Sequence, residues 1–370
     1  MKYLIKLPSV AVTSPTLRLR LIGCATVAVL AIAQNIVAQS SPDAPHTGLV
    51  NTAGAAFNAT TGKGYVVDSG AGLVRITNDR DDTVSSVKVG ANPTSIAIDT
   101  ENGRAYVANA GDGTVSVIGG QSDTVLDTLT VGSHPYSIAS DSSAGKIYVT
   151  RTYSDRIMVI DAATNRVSSI LAGSPDLVAI NQKTHTIYLL SYEMGDLAIL
   201  DGAAETITRT SVGMHAWGMA LNPATGALYI AKPGDGTVAV LSPGTTTPTF
   251  IPTGGIPCAV AVNPQTGNIY VADYAGNSLS VIDAHKEKAM ASIPVGIRPE
   301  AVAIDTEHNR IYVANTLGRS ITIINVLTNK VIGTEPVNSA PYALAADPLR
   351  GKLHVAALGA QSFAVIGEKR

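Results

Sequence analysis

The chain has 370 residues, of which 45% are hydrophobic, 15% charged and 5% aromatic, with a formal net charge of −2. So large an apolar share excludes a disordered chain, and the near-neutral balance argues against a general nucleic-acid binder. The 34 glycines and 19 prolines, set among Val, Ile, Thr and Ser, suit many short strands joined by tight turns.

The chain opens with Lys2, Lys6, Arg18 and Arg20, then an apolar run from Leu21 to Ala33, with small residues at Ala31-Ile32-Ala33 and Ile36-Val37-Ala38. That order predicts a secretory signal peptide and its cleavage region over residues 1–38. An uncleaved membrane anchor is the other reading, but the apolar run is 13 residues, short of the roughly 20 that span a bilayer. Leu21-Ile22-Gly23-Cys24 has the form of a lipoprotein cleavage motif, but it precedes the apolar core instead of following it. Cleavage near Ala33 removes four basic residues and leaves 22 against 28 acidic ones, a formal charge of −6. It also removes Cys24, so Cys258 has no partner for a disulfide. The expectation is an exported monomer, periplasmic, secreted or at the cell surface, with no transmembrane domain after cleavage.

Residues 39–370 are dominated by one repeat. An aromatic-Val-small-polar phrase recurs at Tyr65, Tyr106, Tyr148, Tyr188, Tyr229, Tyr270 and Tyr312, with His354 at the eighth position; the spacings run 41, 42, 40, 41, 41, 42 and 42. Each unit has one grammar: strand A ends in an Asp or Asn seven residues before the marker, and a Gly-rich turn such as Asn222 to Gly226 leads to strand B, which carries the marker. A second turn leads to strand C, such as Thr114 to Ile118, and strand D ends in Val-Gly before the next unit. Four short antiparallel strands cannot cover both of their own faces, whereas sheets stacked radially cover one another. The expected fold is all-β, a single β-propeller of eight four-stranded blades, with the marker tyrosines packed between blades. The polar residue three positions after each marker is a candidate partner for its hydroxyl. The last unit lacks strand D, and the stretch from His46 to Asn51 is expected to supply it and close the ring. A seven-bladed ring with one irregular unit is the alternative.

Tyr106-Val107-Ala108-Asn109, Tyr148-Val149-Thr150 and Tyr312-Val313-Ala314-Asn315 resemble the YVTN β-propeller repeat, as do the linked phrases Ser280-Val281-Ile282-Asp283 and Val295-Gly296-Ile297-Arg298-Pro299. Over about residues 46–367 the chain looks like an exported YncE-like or surface-layer-type propeller protein. The resemblance specifies a fold and leaves activity open. The same fold resembles propellers of lactonases, haem d1 proteins and quinoprotein dehydrogenases.

Positions that differ between otherwise similar units are free to carry function. Propeller ligands commonly sit at one mouth of the central channel, where the loops entering strand A and leaving strand B meet. Fourteen residues before the marker stand His134, His215 and Arg298; twelve before it Tyr136, Asp176, Trp217, Glu300 and Tyr342; three after it Arg151, Lys232 and Asp273. Tyr153 follows closely, as do Tyr192, Glu193 and Tyr274. A funnel of these residues is expected to bind a polar or anionic ligand, the aromatics stacking and Arg151, Lys232 and Arg298 supplying charge. Ordinary solvated loop variation is the other reading, and Arg298 and Glu300 could form a simple exposed pair across Pro299.

Motifs for chemistry are sparse. The seven His residues show no ligand spacing, and no metal and no cofactor is called for. Asn78-Asp79-Arg80-Asp81-Asp82 lacks the Gly and distal Glu of a calcium loop and reads as a turn between strands C and D. There is no nucleophile elbow, Rossmann or P-loop phrase in context, nor a Cys-x-x-Cys-His haem attachment site, and a single Trp excludes repeated tryptophan docking between blades. The sequence therefore favours a noncatalytic exported propeller binding an unknown ligand or protein partner at the mouth. The alternative is a lactonase-like hydrolase or other cofactor-using propeller enzyme, needing Glu300 or Asp176 as acid–base group with His134 or His215 nearby.

Overall fold

A computed structural model describes residues 54–77, 84–358 and 363–367, all within the compact unit Leu49–Arg370. The signal segment, the closing stretch His46 to Asn51 and the acidic turn Asn78 to Asp82 lie outside the described residues. Eight antiparallel sheets follow one another along the chain, each made of consecutive strands. In blade 2 the order is Pro93–Asp99, Arg104–Asn109, Thr114–Gly119 and Thr124–Thr130. Seven sheets show four strands; the eighth shows Ala340–Asp347, Lys352–Leu358 and Phe363–Ile366. The first strands of successive blades pack against one another, and that of blade 8 packs on that of blade 1. The protein is an eight-bladed β-propeller with the A strands innermost. Among the described residues no helix is long and apolar enough to cross a membrane.

Two sequence features explain why these strands form. The Asp or Asn ending each A strand is buried in all eight blades: Asn58, Asp99, Asp141, Asn181, Asn222, Asn263, Asp305 and Asp347. Its side chain folds back to accept backbone N–H groups of its own turn, as Asn222 Oδ1 does from Ala224 and Thr225 at 2.9 and 3.3 Å, and Asp305 Oδ1 from Glu307 and His308 at 3.1 Å each. A buried side chain of this kind closes the hairpin locally and leaves few polar groups unpaired.

The marker tyrosines are the wedges between blades. Tyr65 packs with Ala105, Tyr106 with Ile147, Tyr148 with Ile187, Tyr188 with Leu228, Tyr229 with Ile269 and Tyr312 with Leu353. In every pair the second residue directly precedes the marker of the next blade. Each buried ring contributes on the order of 2–3 kcal/mol. The polar residue three positions on does not serve the tyrosine hydroxyl as expected. Asn109 donates instead to Thr114 and Ser116 at 3.1 and 2.9 Å, and Asn315 to Ser320 and Thr322 at 3.1 and 2.9 Å, all on strand C of their own blades. Burial pushes the Tyr65 phenol up to about 12, with the Thr61 and Asn58 side chains opposing the shift.

The seam between blades 8 and 1 breaks the rule in a matched way. His354 replaces the marker tyrosine, and Gly64 stands where other blades carry Ala, Ile or Leu. The imidazole fills the space of the missing side chain: a Cβ at Gly64 would lie 2.2 Å from His354 Cε1. His354 also stacks on Phe57 at 6.1 Å between centroids, and its Nδ1 lies 3.1 Å from Thr77 Oγ1. On the channel side, Tyr342 donates to Val67 O at 3.2 Å and packs with Ala55, Val66 and Ala356. Gly64→Ala is therefore expected to overpack the seam by about 1–3 kcal/mol and lower the Tm by about 5 °C in a thermal unfolding scan, whereas Gly333→Ala on an outer strand leaves it nearly unchanged.

Candidate functional site

Among the described residues, the D–A and B–C connections lie at one end of the ring. The pairing register shows this directly, since Pro93, Pro135, Pro257, Pro299 and Pro341 at the starts of A strands sit opposite Asn109, Arg151, Asp273, Asn315 and Ala357 at the ends of B strands. The three sets of positions singled out by sequence are placed here by three different local devices.

The residue fourteen before the marker adopts a left-handed backbone in Asn92, His134, Ser174, His215 and Arg298, with φ between 46 and 58°. Asn and His tolerate that region better than most residues, so part of the unusual composition at this position belongs to the turn itself. Its carbonyl closes the loop, as when Thr152 N–H donates to His134 O at 3.0 Å and Thr316 N–H to Arg298 O at 2.9 Å. His134 is exposed.

The residue three after the marker packs beneath the glycine of its own D–A connection. A Cβ would lie 2.3 Å from Arg151 Nη1 at Gly132, 2.6 Å from Lys232 Nζ at Gly213 and 1.8 Å from Asp273 Oδ2 at Gly255, so any larger residue would displace these side chains, and the positive φ of Gly132 and Gly213 favours glycine as well. Lys232 is buried, pairs with Asp235 and holds its ammonium 5.0 Å from the Phe250 ring on the outermost strand of blade 5. Asp273 caps its own loop, accepting from Ile256 N–H at 2.8 Å and Gly276 N–H at 3.1 Å. Arg151 donates to Ser154 at 2.7 Å. The structure thus turns these three side chains into their own blades instead of gathering them around the opening. Tyr153 stands exposed beyond them.

The residue twelve before the marker is the one aimed at the neighbouring blade. In blades 2, 6, 7 and 8 it is the extra residue of a β-bulge, Thr94, Cys258, Glu300 and Tyr342, and in blade 3 the bulge spans Tyr136 and Ser137. A bulge lifts one side chain out of the inward–outward alternation. Its effect is visible in the partners: Thr94 donates to Tyr136 O at 3.0 Å, Cys258 to Pro299 O at 3.2 Å, and Tyr342 to Val67 O, each on the next blade.

Two groupings result. In the sector of blades 6 and 7, Arg298 Nε meets Glu300 Oε1 at 2.5 Å and the guanidinium lies 4.5 Å from the centroid of Tyr274. This pair is buried, Glu300 being 2% exposed, and not the exposed pair considered from the sequence. Burial pushes the Glu300 carboxyl up, opposed by Arg298 and Thr316.

In the sector of blades 3 to 5, Tyr192 joins the other expected residues. Its ring lies 5.8 Å from that of His215 and 6.0 Å from that of Trp217, and its N–H donates to Asp176 Oδ2 at 2.8 Å. Tyr136 is close enough that Asp176 and Tyr192 both act on its phenol, although burial is the larger cause of its upward shift. Burial likewise pushes the Asp176 carboxyl up to about 6, helped by Glu193 and opposed by the Tyr192 N–H. His215 Nδ1 is buried without a hydrogen-bond partner. The sequence marked Tyr192 only as a residue after the aligned column; its signal was an aromatic directly beyond the end of strand B. Among the described residues, no group of three or more His, Cys, Asp or Glu is placed to hold a metal ion.

No protein-family model matches the sequence, and no curated protein sequence matches it. Solved structures do match. Hydrazine synthase from Kuenenia stuttgartiensis superposes with a TM-score of 0.62 at 17% identity, covering 77% of this chain and 99% of that one. Dihydro-heme d1 dehydrogenase NirN, in complex with DHE, superposes with a TM-score of 0.69 at 15% identity, covering 79% of this chain and 68% of that one. The likeness is one of fold. The expectation of a noncatalytic binding module is corrected here, because the solved structures that share the fold are a synthase and a dehydrogenase.

Two outcomes follow from the electrostatics. The Asp176 carboxyl is held at about 6 in the folded state against an ordinary 3.8. The folded state therefore binds this proton more tightly than the unfolded chain, and its contribution is complete below about pH 4 and is lost as the pH rises through about 6. Asp176→Asn keeps the shape without the charge, so its Tm relative to the parent should climb between about pH 4 and pH 7, by the equivalent of about 2 kcal/mol. Arg298→Ala should cost about 3 kcal/mol at neutral pH in denaturant unfolding by leaving a buried carboxylate unpaired, and Arg298→Ala with Glu300→Gln should recover most of that loss.

Proposed function

We propose that this protein is an exported propeller enzyme that seats a flat, conjugated cofactor at the channel mouth, in the sector of blades 3 to 5. The observation that carries the reading is the convergence on Tyr192 of an ionisable carboxyl, an imidazole and an indole: Asp176, His215 and Trp217. A planar group fits these residues on two counts. Aromatic rings gather about one position, and His215 Nδ1 is a buried polar atom awaiting a partner. The neighbouring dehydrogenase carries dihydro-heme d1 in its name, which supports a ring system of that general kind as the guest. Such a group, when bound, supplies electron-transfer chemistry that side chains do not.

The chain's own part is binding and proton handling. Tyr136, Tyr192 and Trp217 surround the carboxyl and the imidazole with aromatic rings, and the burial of Trp217 keeps water from this side. The Tyr192 N–H fixes one oxygen of Asp176, and the carboxyl keeps its proton up to about pH 6, the range in which a general acid or base is effective. Glu300 is a poorer candidate for this role, because Arg298 already engages it in a buried pair. The basic and apolar N-terminal segment supports export, and the YVTN-type phrases support kinship with YncE-like and surface-layer-type propellers.

Trp217 is the one tryptophan of the chain, so its emission reports on this sector alone. Hemin and riboflavin 5′-phosphate, titrated separately, should show one of the two quenching Trp217 at micromolar concentration and acquiring induced visible circular dichroism. Tyr192→Ala should weaken that binding by about 3- to 10-fold, the worth of one stacking contact. Absence of quenching by both probes, with hydrolysis of a lactone panel by the same preparation, would replace this reading with the hydrolase one.

A further inference from the structure

The seams between blades contain an internal control at the end of the ring opposite the mouth. Two residues before the marker, blades 1, 2 and 3 carry Lys63, Arg104 and Lys146. Each crosses to the turn between strands C and D of the next blade. Lys63 donates to Gly120 O and pairs with Asp123, both at 2.8 Å; Arg104 donates to Ala162 O at 3.0 Å; Lys146 donates to Gly202 O at 3.2 Å, with Glu205 at 3.9 Å. At the seam of blades 4 and 5 the bridging position is Thr186, and the position answering to Asp123 and Glu205 is Thr246. Both members of the bridge have become threonines.

Thr186 is too short to cross, and its hydroxyl turns to Thr184 at 2.8 Å. The following seam also lacks a cation, but Ala227 packs there in an apolar cluster with Ala284 and closes the gap. Between blades 4 and 5 a cavity of about 500 Å³ remains, within the range of small-ligand sites. Its inner wall is apolar, formed by Tyr188, Ile199 and Leu241, and its rim carries the hydroxyls of Thr186, Thr206 and Thr208. The charged groups beside it are already engaged. Lys183 Nζ donates to Pro223 O at 2.8 Å, and Asp201 Oδ1 accepts from Ala203 and Ala204 N–H at 2.9 Å each. Burial pushes the Tyr188 phenol up, which keeps it protonated and able to donate.

An apolar ring beside a set of neutral hydroxyls, each able to donate and to accept, matches the C–H face and hydroxyl edge of a sugar better than it matches an ion. We infer that the cavity between blades 4 and 5 binds a small neutral polyhydroxylated ligand, a mono- or disaccharide. The site is separate from the mouth and does not rest on the cofactor reading.

The test uses the full chain with glucose, galactose, mannose, N-acetylglucosamine, maltose and cellobiose, followed by saturation-transfer NMR and calorimetry. At least one should bind. Thr186→Lys rebuilds the bridge found at the three seams of blades 1 to 4; it should fold with an equal or higher Tm and weaken saccharide binding by at least about tenfold, while hemin or flavin quenching of Trp217 is unchanged. Thr208→Val, which keeps the shape and removes one hydroxyl, should weaken binding several-fold and carries the test should the lysine variant misfold. Failure of all six sugars to bind at about 10 mM, or equal affinity in the folded variants, overturns the proposal.

Discussion

The whole molecule depends on the insertion of one aromatic ring from each blade into the face of the next. A four-stranded sheet has two apolar faces and no helix to cover either. The pairing of a marker with the residue that precedes the next marker recurs at six seams and gives those blades the same cover on the same side. Because the contact always runs from one blade to its successor, it generates a constant rotation, and after eight steps the last blade meets the first. Local order inside each blade comes from elsewhere, from the buried Asp or Asn that folds the A–B turn upon itself.

This division of labour places variation where it does least harm. The scaffold contacts lie midway along strand B and in the far turns. The mouth is built from strand ends, where a left-handed turn, a glycine-covered side chain and a bulge residue coexist within a few positions. Of these only the bulge residue faces the next blade, so chemistry introduced there reaches a neighbour at once. Hydroxyls use the same direction to stitch seams, as Thr150 does to Asp176 O and Thr316 to Pro341 O, both at 2.7 Å. The aromatic group about Tyr192 stands in the same ring of positions, with bulky side chains in place of short ones.

The fold was legible in the sequence because its cause is periodic: a wedge every 41 residues or so leaves a trace that no single side chain can hide. The contents of the mouth were legible only as a list. Spacing placed Arg151, Lys232 and Asp273 at the right end of the ring, but it could not show that each lies under a glycine and faces its own blade. It gave His134, His215 and Arg298 a functional air that is partly the preference of a turn for such residues. The pairing irregularity that singles out Thr94, Cys258, Glu300 and Tyr342 has no composition signature, since it resides in the register between two strands. Tyr192 was visible in the chain, yet its importance comes from three neighbours drawn from two other positions in the repeat.

The histidine and glycine at the closing seam have a consequence for how many units the circle can hold. Six other seams are interchangeable in principle, since each joins a buried tyrosine to a small or branched aliphatic. The eighth has a key and a keyhole of its own, Gly64 and His354. A tyrosine-bearing blade would present the wrong tooth to Gly64, and the imidazole would find no recess in front of Ile147 or Leu228. Only the terminal units recognise each other, so this joint fixes which two blades meet when the circle closes, while the rotation at the other seams sets how many lie between them.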